Sequence, residues 1–184
     1  SATIHGGSYF FIQPEFVNQN LWTLYFLTAI GKAFYKRLKN QPIVSITGMK
    51  GTDTLSSKSI TLRGEVREIG QKRLSEIFQK NPYMEAIYPN KESRTALTVF
   101  QIYKGSGEFF DLSQKPIFRE QFSFGGMENH ASCFFVTDKC NGCKRCTDVC
   151  PQNCIDISAY PVKIKQEHCL HCGKCIEICP LQAI

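Results

Sequence analysis

The stretch CNGCKRCTDVCP, Cys140–Pro151, places four cysteines within eleven residues and closes on a proline. It returns as CLHCGKCIEICP, Cys169–Pro180, with every cysteine and the proline displaced by 29 residues, and the match runs on to Ile155 and Ile184. Such self-similarity marks a duplicated structural unit. Eight of the ten cysteines lie in these two runs, and the first 132 residues contain none. A disulfide framework would spread its cysteines to staple loops. Thiols two residues apart pair poorly with each other and hold metal well. The expected setting is therefore a reducing one, the cytoplasm, with a metal centre in the tail.

Zinc takes four thiolates too, but as two separated Cys-x2-Cys pairs. Three cysteines at x2, x2, followed by x3-Cys-Pro, twice, is instead similar to the two-cluster bacterial ferredoxins. That resemblance implies two [4Fe–4S] clusters whose fourth ligands are exchanged between the runs. Carried over residue by residue, Cys140, Cys143, Cys146 and Cys179 hold one cluster, and Cys169, Cys172, Cys175 and Cys150 hold the other. Cys154 stands where the second half has Ala183 and reads as a small buried residue; Cys133 reads as a linker thiol. A cluster with all four positions filled by cysteine leaves no iron open to substrate, so the tail is expected to deliver or collect single electrons.

The front of the chain reads differently. Strands are expected at Tyr9–Gln13, Leu21–Leu27, Ile43–Thr47, Ser59–Ile69 and Ala96–Phe110. In SITLRGEVREI, Ile60, Leu62 and Val66 alternate with polar residues, and Gly64 marks a bulge or bend. Helices are expected at Lys32–Asn40, stopped near Pro42, and at Gln71–Lys80, stopped before Pro82. Many antiparallel strands with two short helices point to a small barrel. No G-x-G-x-x-G follows a strand, so there is no dinucleotide fingerprint.

Leu24–Gly48, LYFLTAIGKAFYKRLKNQPIVSITG, resembles the FMN-binding split-barrel family that includes pyridoxamine-phosphate-oxidase-like proteins. There a strand ends in Thr, a Lys opens the following helix, and Leu-x-x-x-Pro leads into the next strand; here these are Thr28, Lys32, Leu38 and Pro42. LRGEVREI, FQKNPYMEAIYP and GSGEFFDLSQKPIFREQFSFGG also look like that family's later elements, so the resemblance spans most of Ala2–Gly126. It implies FMN with its phosphate at Thr28 and Lys32, Lys36 helping one turn later, and a homodimer. Hydroxyl, ammonium and helix N-terminal amides suit a phosphate. Where the family often has Arg-x-Arg-Pro, this chain has Phe11-Ile12-Gln13-Pro14, so Gln13 offers hydrogen bonds to the cofactor but no charge.

The expected fold class is thus α+β: a small antiparallel split β-barrel with short helices over residues 1–132, followed by a two-[4Fe–4S] ferredoxin-like domain over 133–184. The net charge of the 184 residues is +6. Its lysines and arginines are scattered, which argues against a nucleic-acid partner. The most apolar run, Leu21–Ile30, is about half the length a membrane helix needs, so no membrane span is expected. Six Lys+Arg stand against five Asp+Glu from Thr137 onward, leaving +5 on the front. With about −2 for each cysteine-bound oxidised cluster, a loaded tail becomes acidic beside a basic barrel.

The expected function is a flavin/iron–sulfur oxidoreductase that passes electrons between the clusters and FMN. Its partner is a redox protein or a small-molecule donor or acceptor. The alternative is a ferredoxin-type electron-transfer module whose barrel only docks a partner. Tyr83, Tyr88, His5 and His130 have side chains capable of acid–base work, but nothing in their surroundings in the sequence assigns them a catalytic role.

Overall fold

The structure is a computed structural model describing residues 9–11, 24–128 and 133–184, the first three by backbone alone. The chain divides into two compact units. One comprises Ser1–Gly48, Thr61–Gly107 and Phe122–Asn129; the other comprises Met49–Ile60, Glu108–Gln121 and His130–Ile184. The strand ends at 49–60 and 108–121 are thereby grouped with the tail. The boundary expected at 132/133 falls at the edge of residues that are not described.

The larger sheet contains β1 (Tyr9–Phe11), β2 (Leu24–Ala29), β3 (Ile43–Lys50), β4 (Lys58–Gly70), β5 (Leu97–Asp111) and β6 (Phe118–Phe124). Its order is β1-β2-β5-β4-β3, with β6 also paired to β5. The fold is the expected mixed one, a curled antiparallel half-barrel sheet with few helices and a ferredoxin-like tail.

In the first unit, β2 and β5 are antiparallel with Phe26 opposite Phe100 and Leu27 opposite Val99. Side chains alternate across a strand, and here both faces are covered. Phe26, Phe100 and Ile102 join Leu38, Val44, Ile46, Leu62, Val66 and Phe124 in one core. Leu27, Val99 and Leu97 join Leu74, Ile77, Phe78 and Met84 in another. The Phe26 and Phe100 rings stack with centroids 5.5 Å apart.

Helix α1 (Ala33–Asn40) lays Leu38 into the first core and ends at Gln41, whose backbone is extended at φ −138°. Pro42 imposes that geometry by crowding the residue before it. Helix α2 (Leu74–Lys80) begins three residues later than expected: Arg73 adopts φ +66°, so residues 71–73 form a turn ahead of the helix. Two single-turn helices follow, α3 (Met84–Ile87) and α4 (Lys91–Arg94). Strand β6 was not among the expected strands; its mixed burial and its Arg119-Glu120 pair blur the alternation. The expected strand Leu21–Leu27 is described from Leu24 and continues to Ala29, with residues 21–23 outside the described set.

Gly64, expected to mark a bulge or bend, lies where two strands come close. Strand β4 is continuous across it, and a β-carbon there would sit 2.6 Å from Ile102 Cγ2 and 2.7 Å from Lys104 O. At Gly105 opposite, a β-carbon would meet Arg63 O at 2.8 Å. The two glycines let β4 and β5 approach closely.

The tail carries α5 (Arg145–Asp148), α6 (Lys174–Ile178) and a two-stranded antiparallel sheet, β7 (Ile155–Asp156) with β8 (Lys163–Ile164). Its core is small: Cys146, Ile155, Val162 and Cys175, flanked by Phe134, Val136, Ile164 and Ile184. Among the described residues, no helix is long and apolar enough to cross a membrane.

Candidate functional site

The duplication seen in the sequence is also written in the backbone. Left-handed residues recur 29 positions apart: Gly142 with His171, Lys144 with Gly173, and Asn153 with Gln182. Each run therefore winds through the same loop. Lys144 and Gly173 directly precede α5 and α6, whose Cys146 and Cys175 turn inward and are buried. In each half the carbonyl at the matching position accepts a backbone hydrogen bond: Thr137 N–H donates to Ala183 O at 2.7 Å, and Lys165 N–H donates to Cys154 O at 2.8 Å.

Two small cavities of similar size, partly open to solvent, lie in this tail. Cys140, Cys143, Cys146 and Cys179 line the first. Cys150, Cys169, Cys172 and Cys175 line the second. Each cavity thus brings together three cysteines of one run and the fourth of the other. Among the described residues, no three His, Cys, Asp or Glu converge on a single-ion site. A lone zinc would demand convergence, with each sulfur about 2.3 Å from one point. In this structure each set of four cysteines lines a cavity.

Backbone amides point at the sulfurs in both halves. Gly142 N–H lies 3.4 Å from Cys140 Sγ, His171 N–H 3.4 Å from Cys169 Sγ, and Ala183 N–H 3.3 Å from Cys179 Sγ. The Ala183 amide, with those of the neighbouring residues, holds the Cys179 thiol below its ordinary range. At Cys150, burial pushes the thiol up, but the amides of Cys154 and Gln152 outweigh it and the net shift is downward. Burial raises Cys146 and Cys175. Amide dipoles aimed at sulfur compensate the negative charge of a thiolate cluster.

Sequence reasoning missed the contacts of three residues in this unit. Cys154 is 3% exposed, and its sulfur lies 3.5 Å from Cys150 Sγ. Ile117, on the loop between β5 and β6, is held at both ends of its peptide: its N–H donates to Gln152 Oε1 at 3.3 Å, and its carbonyl accepts from His168 Nδ1 at 2.8 Å. Gln152 and His168 stand beside Cys150-Pro151 and Cys169, so adjacency to the ligand runs was the only signal available. Arg119 lies over the Phe110 ring and 3.4 Å from Glu108.

In the first unit, Thr28 is the penultimate residue of β2 and is 1% exposed. Its Oγ1 is buried and has no hydrogen-bond partner among the described residues. Directly opposite on β5 is Thr98, whose hydroxyl donates to Glu68 Oε1 at 2.7 Å. Glu68 also accepts from Lys39 Nζ at 3.0 Å and from Tyr35 at 3.4 Å. Burial alone would raise the Glu68 carboxyl, but the Thr98, Lys39 and Tyr35 bonds together hold it below its ordinary value.

Lys32 is the N-cap of α1, a position with no side-chain cap and with no acidic residue in the first turn. Lys36 lies exposed one turn on. An orphaned hydroxyl beside an uncapped, cation-bearing helix start fits a phosphate. Gln13 lies outside the described residues, as do His5 and His130.

Residues 139–183 match the family of 4Fe–4S dicluster domains, and the tail is an iron–sulfur domain. No curated protein matches the chain. Among solved structures, a NimC/NimA family protein from Clostridium acetobutylicum is similar at 23% identity, over 56% of this chain and 67% of that one, with a TM-score of 0.45. A pyridoxamine 5′-phosphate oxidase-related, FMN-binding protein from Nostoc punctiforme is similar at 13% identity, over 56% and 71% of the two chains, with a TM-score of 0.37. A haem-binding protein from Mycobacterium smegmatis is similar at 12% identity, over 55% and 42%, with a TM-score of 0.41.

Proposed function

We propose that this protein is a flavin/iron–sulfur oxidoreductase. Its tail binds two [4Fe–4S] clusters, one on Cys140, Cys143, Cys146 and Cys179 and the other on Cys150, Cys169, Cys172 and Cys175. Its barrel binds FMN. When bound, such groups supply single-electron relay at the clusters and the pairing of two electrons at the flavin. The chain's own residues bind, orient and shield them. The loop amides of Gly142, His171 and Ala183 stabilise the thiolates. Thr28 donates its hydroxyl to the flavin phosphate, and Lys32 and Lys36 neutralise it. Electrons come from, or go to, a redox protein or small molecule in the cytoplasm, and the working form is a homodimer.

The observation that carries the reading is the pair of cavities, each lined by three cysteines of one run and the fourth of the other. The flavin part rests on the orphaned Thr28 hydroxyl beside the start of α1. Anaerobic purification with iron, sulfide and flavin analysis tests both parts. Two cubanes require about eight iron and eight sulfide per chain, with about one FMN. The same iron without flavin would leave the barrel as a docking scaffold and remove the oxidoreductase reading.

A further inference from the structure

The two cavities repeat each other in ligands, loop amides and left-handed residues, so their differences stand out. The sharpest is at position 154. Ala183, its counterpart, is 1% exposed and offers a methyl group to its cavity, whereas Cys154 is 3% exposed and offers a thiol. That thiol lies 3.5 Å from Cys150 Sγ and also faces Cys169, a second ligand of the same cavity. Cys154 is not among the eight ligands, and a thiol that binds no iron carries its proton at neutral pH. A cysteine bound to iron has none to give. In the loaded protein the hydrogen bond therefore runs one way, from Cys154 S–H to Cys150 sulfur.

Hydrogen bonds to ligand sulfurs stabilise the added electron and raise a cluster's potential. We propose that Cys154 is a positioning residue whose S–H bond to Cys150 makes the cluster of Cys150, Cys169, Cys172 and Cys175 the more easily reduced of the two. The pair is then inequivalent, and the first electron to enter settles on that cluster. Lys144 and Arg145, which line the other cavity, act in the opposite sense, but both are exposed. Water and salt screen them, while the buried S–H contact is unscreened. This inference rests on the two-cluster ligand assignment proposed above.

The test is a redox titration of the anaerobically purified full chain, followed by electron paramagnetic resonance, for the wild type, Cys154→Ala and Ala183→Cys. Cys154→Ala copies a residue the other half already carries, so loading is expected to persist, and iron analysis reports it. The wild type should show two reduction waves. Cys154→Ala should lower the upper wave by up to about tenfold in its equilibrium, about 59 mV for a one-electron couple, and leave the lower wave in place. Ala183→Cys should raise the lower wave and leave the upper one. A fully loaded Cys154→Ala protein with unmoved waves, or with the lower wave displaced, overturns the inference alone. A wild type short of eight iron overturns it together with the ligand assignment.

Discussion

Thr28 offers the sharpest test at the level of single residues. Its hydroxyl is buried without a partner among the described residues, and such a group costs about 1–3 kcal/mol. Thr28→Val keeps the shape and removes the hydroxyl. Flavin-free Thr28→Val protein should be as stable as wild type or more so in urea, while its FMN affinity falls about tenfold, as one lost charge-assisted hydrogen bond implies. Fluorescence titration with FMN checks the second half; equal affinities would remove Thr28 from the phosphate site. The neighbouring Phe26 serves packing alone: Phe26→Ala should cost about 3–5 kcal/mol, read as a lowered denaturation midpoint. Much at this scale was legible in the sequence. Ligand spacing is itself a geometric demand, so the two cysteine runs stand out, and the structure gathers them about two cavities; Thr28 and Lys32 were singled out only through the family resemblance. The contact between Cys154 and Cys150 was not legible, because it depends on where a loop returns, and no period in the sequence encodes that.

At the level of elements, the junction of β4 and β5 depends on a buried acid and on glycine. Asp111 is 1% exposed and accepts from Lys58 at 2.8 Å, from Ser113 N–H at 2.9 Å and Ser113 Oγ at 2.5 Å, and from Gln114 at 3.1 Å. The Lys58 bond, then those of Ser113, hold its carboxyl far below the ordinary range. A depressed pKa contributes stability that is present above the unfolded value, near pH 4, and is lost as the pH falls toward the folded one. Asp111→Asn should therefore destabilise the protein at pH 7 and flatten the acid limb of its stability profile below about pH 4. Urea midpoints measured across that range decide it. On the same strands, Gly105→Ala forces a β-carbon against Arg63 O and should cost about 1–3 kcal/mol through overpacking; an unchanged midpoint would show that the strands can part. Alternation in β4 and the stop at Pro42 could be read from the sequence. The late start of α2 could not, since nothing in Gln71-Lys72-Arg73 announces a left-handed arginine. The bounds of β6 could not be read from alternation either, since its charges sit on a strand that the sheet nonetheless pairs; only the family resemblance covered that segment.

Across the whole molecule, the two units differ in what holds them. The first has two apolar clusters on either face of β2 and β5. The tail has a core of four buried residues, two of them cysteines, too little to fold a segment of its size without a staple. Metal binding there is folding energy. Stripping iron with a chelator should abolish hydrogen-exchange protection across residues 137–184 while leaving it in β2 and in β5 up to Gly107. Protection that survives in the tail would show that its own packing suffices. The bipartite plan was legible because the cysteines stop so abruptly at one side of the chain. The grouping of residues 49–60 and 108–121 with the tail was not, because it rests on distant contacts such as Ile117 with Gln152 and His168.

The lining of the first cavity also sets an order of events during synthesis. Cys140, Cys143 and Cys146 leave the ribosome well before Cys179, and the cavity they share with it cannot close until that residue has emerged. The second cavity waits only for Cys175. Neither half can be finished and set aside while the other is being made. On the proposed ligand sets, iron insertion follows translation through the second run, and a chain cut short between the runs would carry the four cysteines of the first run with neither cavity closed.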